Sequence, residues 1–246
     1  LIKHLNFSRF GLYLSARAGT GKTEMAKLMM CLYGSRWGGN EVLSFEGATD
    51  KAARKKLEMA KDLPFLMDNF RPQDGHLPLL NKFITSSVEG RGRARLDRAS
   101  ESKAQAEISS LPIVTGEDFP EGDAGLLGRV LVIDFTSNKL KDICEWERLK
   151  KQAIQHFPSL GAEWIDHLTA ELSSQERMKK IAEQYESILD SWQKRAQEKG
   201  YGNVQNIERV IKNISALELA WNLALECKAF KKTLTKHYPN FGLGCI

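Results

Sequence analysis

The chain has 246 residues, of which 42% are hydrophobic and 27% are charged, proportions that are ordinary for a soluble globular protein. Its length accommodates one large α/β domain, or a core of moderate size with a helical appendage. The formal net charge of +5 permits a nucleic-acid partner without requiring one. No apolar run is long enough to span a bilayer, which excludes a transmembrane helix, and we expect a cytoplasmic protein with no membrane partner.

The cysteines form no C-x-x-C pair, and no histidine stands at ligand spacing from them. This pattern predicts reduced thiols in a cytosolic protein, with Cys31 in the core. The first predicted strand follows Leu1 almost at once. We therefore expect the chain to be a segment of a longer protein.

The stretch from Phe10 to Tyr33 predicts a strand, a phosphate-binding loop and a helix. Phe10–Leu14 is an apolar run typical of a buried strand, and apolar residues then recur at helical spacing. Between them, glycines in AGTGKT let successive N–H groups turn toward a phosphate at the start of a helix. Lys22 is then placed to reach the β- and γ-phosphates, and Thr23 to ligate Mg²⁺. We predict a site for ATP and Mg²⁺ made by Ala16, Arg17, Ala18, Gly19, Thr20, Gly21, Lys22 and Thr23.

The motif departs from G-x-x-x-x-G-K-[ST] at its first position, where the chain has Ala16. Alanine can serve there if its φ angle is negative. A glycine turn in an unrelated α/β protein is the alternative. It is disfavoured because a predicted strand precedes the motif and a helix follows it.

A hydrophobic strand predicted at Leu63–Met67 ends at Asp68. The strand Glu41–Phe45 and the helix Lys51–Lys61 precede it, so the order matches folds in which such an acid holds Mg²⁺ opposite the loop threonine. A surface aspartate at a strand end is the alternative. Asn69 then stands where a second acid usually polarises the attacking water. Either hydrolysis is slow or another carboxylate acts, and Glu117 is the candidate.

Two further strands carry polar residues at their ends. Glu107–Thr115 predicts a strand with Thr115 at its tip, where P-loop motors place the group that senses the γ-phosphate. Arg129–Phe135 predicts another strand, with Arg129 at its start on the expected subunit-facing side.

The segment between residues 89 and 107 is the most basic in the chain. It contains five cations: Arg91, Arg93, Arg95, Arg98 and Lys103. One interpretation is a solvated loop whose charges serve solubility. The other is a hairpin or loop that presents arginines to DNA phosphates.

Helical patterns dominate from Ser137 onward, at Lys141–His156, Gly161–Leu172, Ser174–Lys199 and Asn206–Phe230. The third has an apolar stripe through Ile181, Tyr185 and Ile188, and the fourth has one that includes Ile211 and Leu217. We predict an α/β P-loop core over residues 1–137 and an α-helical subdomain over residues 138–246.

Six segments carry a resemblance to a known family: SARAGTGKT, LPFLMDNF, EGRGRARLDR, LPIVTGEDFP, GRVLVIDF and FPSLGAEWIDHL. They resemble the P-loop ATPase module of the domain-of-unknown-function family 927, found in plasmid- and phage-encoded replication proteins and similar to superfamily 3 helicases of the AAA+ class. The resemblance covers most of the chain, from Phe10 to Leu225. It implies an AAA+-like three-layer core with a parallel sheet, followed by a helical subdomain.

The resemblance also implies roles for particular residues. Lys22 and Thr23 match the phosphate-loop pair, and Asp68 matches the Mg²⁺ acid. Thr115 falls at the sensor 1 position, and Arg129 where an arginine finger reaches the γ-phosphate of a neighbouring subunit. The basic segment lies where superfamily 3 helicases carry the hairpin that grips single-stranded DNA in the pore of a ring, for which a hexamer is the family expectation.

Three functions follow from these observations. The leading hypothesis is a ring-forming ATPase that unwinds or translocates on DNA during replication of a mobile element. An ATP-binding oligomeric switch or scaffold with weak hydrolysis is the second, because Asn69 puts turnover in doubt while leaving nucleotide binding intact. A small-molecule kinase is disfavoured, since no substrate lid is evident and Arg129 suits sensing between subunits.

Overall fold

The computed structural model describes Phe7 and residues 9–35, 42–90, 95–96, 102–103, 107–119, 124–134 and 143–231. They divide into two compact units, one of which is Arg9–Gln155. The other combines Phe7 with the described residues from His156 onward. The division predicted from composition, after residue 137, thus lies closer to the amino terminus than the division between the units.

Seven strands are present among the described residues: β1 (Gly11–Ser15), β2 (Val42–Ser44), β3 (Phe65–Phe70), β4 (Arg95–Leu96), β5 (Ser102–Lys103), β6 (Pro112–Gly116) and β7 (Val130–Asp134). Five of them form one parallel sheet in the order β2-β3-β6-β1-β7. Because every strand runs in the same direction, the carboxyl ends of all five lie along one edge of the sheet. The insertion of β6 between β1 and β3 brings three separate chain segments together at that edge.

The helices are α1 (Lys22–Met30), α2 (Asp50–Ala60), α3 (Leu77–Glu89), α4 (Ala124–Leu127), α5 (Ile143–Ser173), α6 (Gln175–Glu198) and α7 (Ile207–Glu226). Helix α2 is capped at its amino terminus, because the Thr49 hydroxyl accepts a hydrogen bond of 3.2 Å from the Ala52 amide. Within the part of the chain that the structure describes, no helix is long and apolar enough to cross a membrane.

The sheet is covered on both faces, as an α/β three-layer fold requires. Alternate residues of β1 point to opposite sides: Leu12 and Leu14 pack with Ala26 and Met30 of α1, whereas Tyr13 belongs to the core with α2 and α3. That second core includes buried side chains from both helices, namely Ala53, Leu57, Ala60, Leu80, Phe83 and Ile84. The predicted P-loop-like α/β core with a parallel sheet, followed by a helical region, is confirmed.

The helical unit has its own hydrophobic core. Ile181, Tyr185 and Ile188 of α6 are buried with Leu219 and Leu223 of α7. The α6 stripe agrees with the sequence pattern. In α7, however, Leu217 is 38% exposed, because it lies two residues, or roughly 200° of rotation, from the buried leucine at position 219.

Helix α5 differs from the prediction of two helices. It is continuous through Pro158, whereas the sequence pattern suggested a break between His156 and Gly161. A proline inside a helix removes one backbone hydrogen bond but does not end the helix when helical residues continue on both sides.

Candidate nucleotide-binding site

The loop after β1 has the backbone conformation that the phosphate-loop motif requires. Gly19 and Gly21 have φ angles of 76° and 84°, in the left-handed region that favours glycine. Ala16 is buried, has no positive φ, and donates its amide to the Gly116 carbonyl at 3.2 Å. The substitution of alanine at the first motif position is therefore compatible with this backbone. Arg17 and Ala18 follow on the exposed part of the loop.

The loop leads directly into the amino terminus of α1. Gly21 is its N-cap residue and offers no side chain to cap the first turn, so amide groups there are open to an anion. Thr20 closes the loop by donating its hydroxyl to the Arg17 carbonyl at 2.8 Å. Lys22 is the first residue of the helix and is half-buried. A glycine loop, a helix terminus and a lysine thus lie together as a candidate anion site.

The Asp68 carboxylate connects this loop to two neighbouring strands. The Thr23 hydroxyl donates to Asp68 Oδ1 at 2.8 Å, although the two residues lie on α1 and β3. The hydroxyl of Thr115, which is fully buried on β6, donates to the same oxygen. The sheet order thus brings together Thr23, Asp68 and Thr115, which lie far apart in the sequence.

The donors in this cluster fit Mg²⁺. The ion prefers oxygen ligands, and it usually binds to one or two protein oxygens together with water and substrate phosphates. Thr23 Oγ1 and Asp68 Oδ1 are two such oxygens, and they lie 2.8 Å apart, close enough to bind the same ion. The hydroxyl and carboxylate beside the anion site are therefore the residues that could hold the metal.

Strand β3 is irregular next to the acid. Met67 pairs with Val114, but Gly116 pairs with Phe70, so β3 contains one residue more than β6 over this interval. Asn69 has a φ of 66°, and its side-chain amide donates to Glu46 Oε1 at 2.6 Å. A β-bulge therefore aims the Asn69 side chain at a carboxylate that follows β2.

Glu46 was not among the residues predicted for the site. Its signal in the sequence was an acid directly after the predicted strand Glu41–Phe45, but the adjacency of β2 and β3 was needed to connect it to Asn69. Glu117, the predicted substitute acid, has an exposed side chain just beyond β6. Its main-chain carbonyl, rather than its carboxylate, accepts the Ser15 hydroxyl at 3.3 Å.

Arg129 lies at the opposite edge of the sheet from the phosphate loop. It immediately precedes β7, whose first residue, Val130, pairs with Gly11 at the start of β1. Its guanidinium donates to the Gly125 carbonyl at 2.9 Å and lies 3.9 Å from the Glu89 carboxylate. Arg129 is therefore separated from the candidate nucleotide site of its own chain by the length of the strands.

The basic segment falls largely outside the described residues. Arg91, Arg93 and Arg98 are not described, and only the backbone of Arg95 and Lys103 is. That backbone forms an antiparallel pair, β4 with β5, in which Arg95 is directly opposite Lys103. The described backbone here is thus a two-stranded antiparallel ladder.

An ion pair anchors the first turn of α1. Lys150 Nζ of α5 lies 2.6 Å from the Glu24 carboxylate, which also binds Lys27 at 3.0 Å. The hydrogen bond from Lys150 is the main cause that holds the pKa of Glu24 below its ordinary value, with Lys27 adding to it. The same pairing raises the pKa of Lys150. Glu24 follows Thr23 directly, so this contact lies at the end of α1 that carries the Thr23–Asp68 hydrogen bond.

One solved structure has a similar fold across nearly the whole chain. It is described as "SCCmec type IV Cch - active helicase", with a TM-score of 0.61 and 15% sequence identity over 97% of this chain. The chain spans 44% of the length of that protein. No protein-family model and no curated protein matches the sequence. The structural likeness agrees with the predicted α/β core and helical region.

Replacing Glu24 with Gln should lower the free energy of unfolding by about 0.5–1 kcal/mol at neutral pH, a small value because both partners are about one-third exposed. A lowered pKa in the folded state means that the stabilisation is present above the ordinary glutamate pKa. It is lost as the pH falls through the folded-state value. Urea denaturation of the variant and parent at neutral and acidic pH measures this difference.

The matched control is Glu163→Gln, a change at an exposed position on α5. It should leave stability unchanged at both pH values. A Glu24→Gln deficit that persists undiminished at the acidic end would contradict an origin in the ion pair.

Proposed function

We propose that the chain is a Mg²⁺-dependent ATPase and the motor module of a DNA helicase or translocase. The contact of 2.8 Å between Thr23 and Asp68, beside a glycine loop at a helix terminus, carries this proposal. P-loop enzymes use such a pair to hold the metal on the nucleotide. When bound, Mg²⁺ neutralises charge on the phosphate oxygens.

The residues of the site divide this work between them. Lys22 and the loop amides bind the phosphates, and Thr23 with Asp68 orients the metal. Thr115, which shares the Asp68 carboxylate, is placed to respond to the γ-phosphate and transmit its presence along β6. The similarity in fold to a protein described as an active helicase supports DNA as the partner.

Assembly into a ring completes the site. Arg129 lies at the amino edge of the sheet and acts as an arginine finger on the nucleotide of a neighbouring subunit. The resemblance to domain-of-unknown-function family 927 and superfamily 3 helicases supports a hexamer that serves replication of a mobile element. The β4–β5 hairpin then presents its cations to single-stranded DNA in the pore.

A second candidate function is an ATP-binding oligomeric switch with weak hydrolysis. Asn69 at the position of the usual second acid favours it. DNA-stimulated ATP turnover distinguishes the two, because a motor couples hydrolysis to its track and a switch does not.

The double variant Arg93→Ala with Arg95→Ala should lose DNA stimulation of the ATPase while keeping its affinity for ATP. Two lost phosphate contacts should also reduce the slope of log K against log salt by roughly 1.4 for single-stranded DNA. Fluorescence anisotropy with a labelled oligonucleotide, over a series of salt concentrations, measures that slope.

The charge-matched control is Lys179→Ala with Lys180→Ala, at exposed positions on α6. It should leave the slope unchanged. If the arginine variant keeps the parental DNA affinity and salt slope, the basic segment is a solvated loop that does not bind DNA. That result would favour the switch.

Subunits that carry Arg129→Ala should be inactive alone, as should subunits that carry Lys22→Ala. Mixing them should restore part of the turnover, because some interfaces then join an intact loop to an intact finger. Mass photometry with differently tagged subunits establishes that mixed assemblies have formed. Absence of recovery in such assemblies would refute action in trans.

A further inference from the structure

Asn69 stands where a second acid usually activates water, and the carboxylate of Glu46, which follows β2, lies against it. We infer that Glu46 is the general base of the ATPase and that Asn69 is the residue that positions it. The inference rests on the proposed function and adds to it the group that accepts the proton. It also resolves how a site with asparagine after the metal acid can turn over.

The contact between the two side chains is short and directed. Asn69 Nδ2 donates to Glu46 Oε1 at 2.6 Å. The bulge in β3 and the left-handed backbone at Asn69 turn this side chain away from the alternation of a regular strand. Its main-chain amide meanwhile donates to the Thr115 hydroxyl at 3.4 Å, and that hydroxyl donates to Asp68. Asn69 thus joins Glu46 to the metal-facing cluster.

The main chain on the amino-terminal side of Glu46 is equally well held. Ser44 pairs with Asp68 in the β2–β3 ladder, and the Phe45 amide donates to the Asp68 carbonyl at 2.9 Å. Phe45 is buried in the core, and the Glu46 amide donates to the Ser44 hydroxyl at 3.2 Å. The carboxylate itself is exposed, so it can accept a proton from water and release it to solvent.

The reaction uses Glu46 as a proton acceptor only. As the oxygen of a water molecule bonds to the γ-phosphorus, one water proton passes to the Glu46 carboxylate. The bond from the γ-phosphorus to the bridging oxygen breaks, and ADP leaves with that electron pair. The products are ADP and phosphate, and protonated Glu46 then returns its proton to solvent. Charge and atoms balance without an additional reactant.

Glu117 is the rival base predicted from the sequence. Glu117 lies just beyond β6, and it contacts Ser15 of β1 through its main-chain carbonyl rather than its carboxylate. Glu46 differs because its carboxylate oxygen is held by the residue adjacent to Asp68. The isosteric substitutions Glu46→Gln and Glu117→Gln distinguish the two hypotheses, because each removes one carboxylate.

Glu46→Gln should reduce ATP turnover by roughly 10²–10⁴-fold, the range for a lost general base. Calorimetric affinity for ATP should stay within about twofold of the parent, because the phosphate contacts are unchanged. The variant should also retain unhydrolysed ATP after gel filtration, which quantification of the bound nucleotide by chromatography measures. Glu163→Gln, the exposed control on α5, should match the parent in all three measurements.

Asn69→Gly should lower kcat and leave KM unchanged, because glycine tolerates a φ of 66° while the amide that holds Glu46 is lost. A raised KM with parental kcat would overturn the positioning role. Parental turnover in Glu46→Gln, or loss of turnover in Glu117→Gln alone, would overturn Glu46 as the base. A parent chain that binds no ATP would instead refute the proposed function itself.

Discussion

The Asp68 carboxylate is the contact on which the rest of the candidate site depends. Its Oδ1 accepts hydroxyl groups from Thr23 on α1 and Thr115 on β6, so one oxygen connects three elements of the sheet edge. This is possible because β6 lies between β1 and β3 and all three strands run parallel. Under the proposed function, the metal-binding acid and the γ-phosphate sensor would therefore be coupled to each other through one oxygen.

Under the proposed function, these shared hydrogen bonds would offer a physical route for transmitting the state of the nucleotide. Asp68 would hold the metal through the same oxygen that accepts the Thr115 hydroxyl, and that hydroxyl accepts a hydrogen bond of 3.4 Å from the Asn69 amide. Asn69 in turn contacts Glu46. Three hydrogen bonds thus connect the Asp68 carboxylate to the chain just after β2.

Features set by local sequence were predictable. The glycines of AGTGKT and the α6 stripe each depend on residues close together in the chain, and each appears where the pattern placed it. The apolar strand before Asp68 is also present, but it does not end at the acid, because β3 begins at Phe65 and continues to Phe70. Thr49 likewise caps helix α2 from the position directly before the helix. These features follow from backbone conformations and periodicities that a short segment specifies by itself.

Features set by long-range pairing were not predictable. The bulge in β3 arises from its register with β6, and the Asn69–Glu46 contact needs β2 beside β3. The Glu24–Lys150 pair joins residues on α1 and α5, which no periodicity connects. The continuity of α5 through Pro158 was not predicted either. A proline removes one backbone hydrogen bond from a helix, but its presence in the sequence does not determine whether the helix ends there.

Titration calorimetry of ATP in Mg²⁺ and in EDTA, with the parent and with Asp68→Asn, measures whether the Asp68 carboxylate holds Mg²⁺ on the nucleotide. The parent should bind ATP more tightly with Mg²⁺, and the variant should lose this difference while keeping its metal-independent affinity. Asp74→Asn, at an exposed turn after β3, is the control and should behave as the parent does. Equal affinity of the parent for ATP in Mg²⁺ and in EDTA, or an undiminished Mg²⁺ effect in Asp68→Asn, would contradict this role of Asp68.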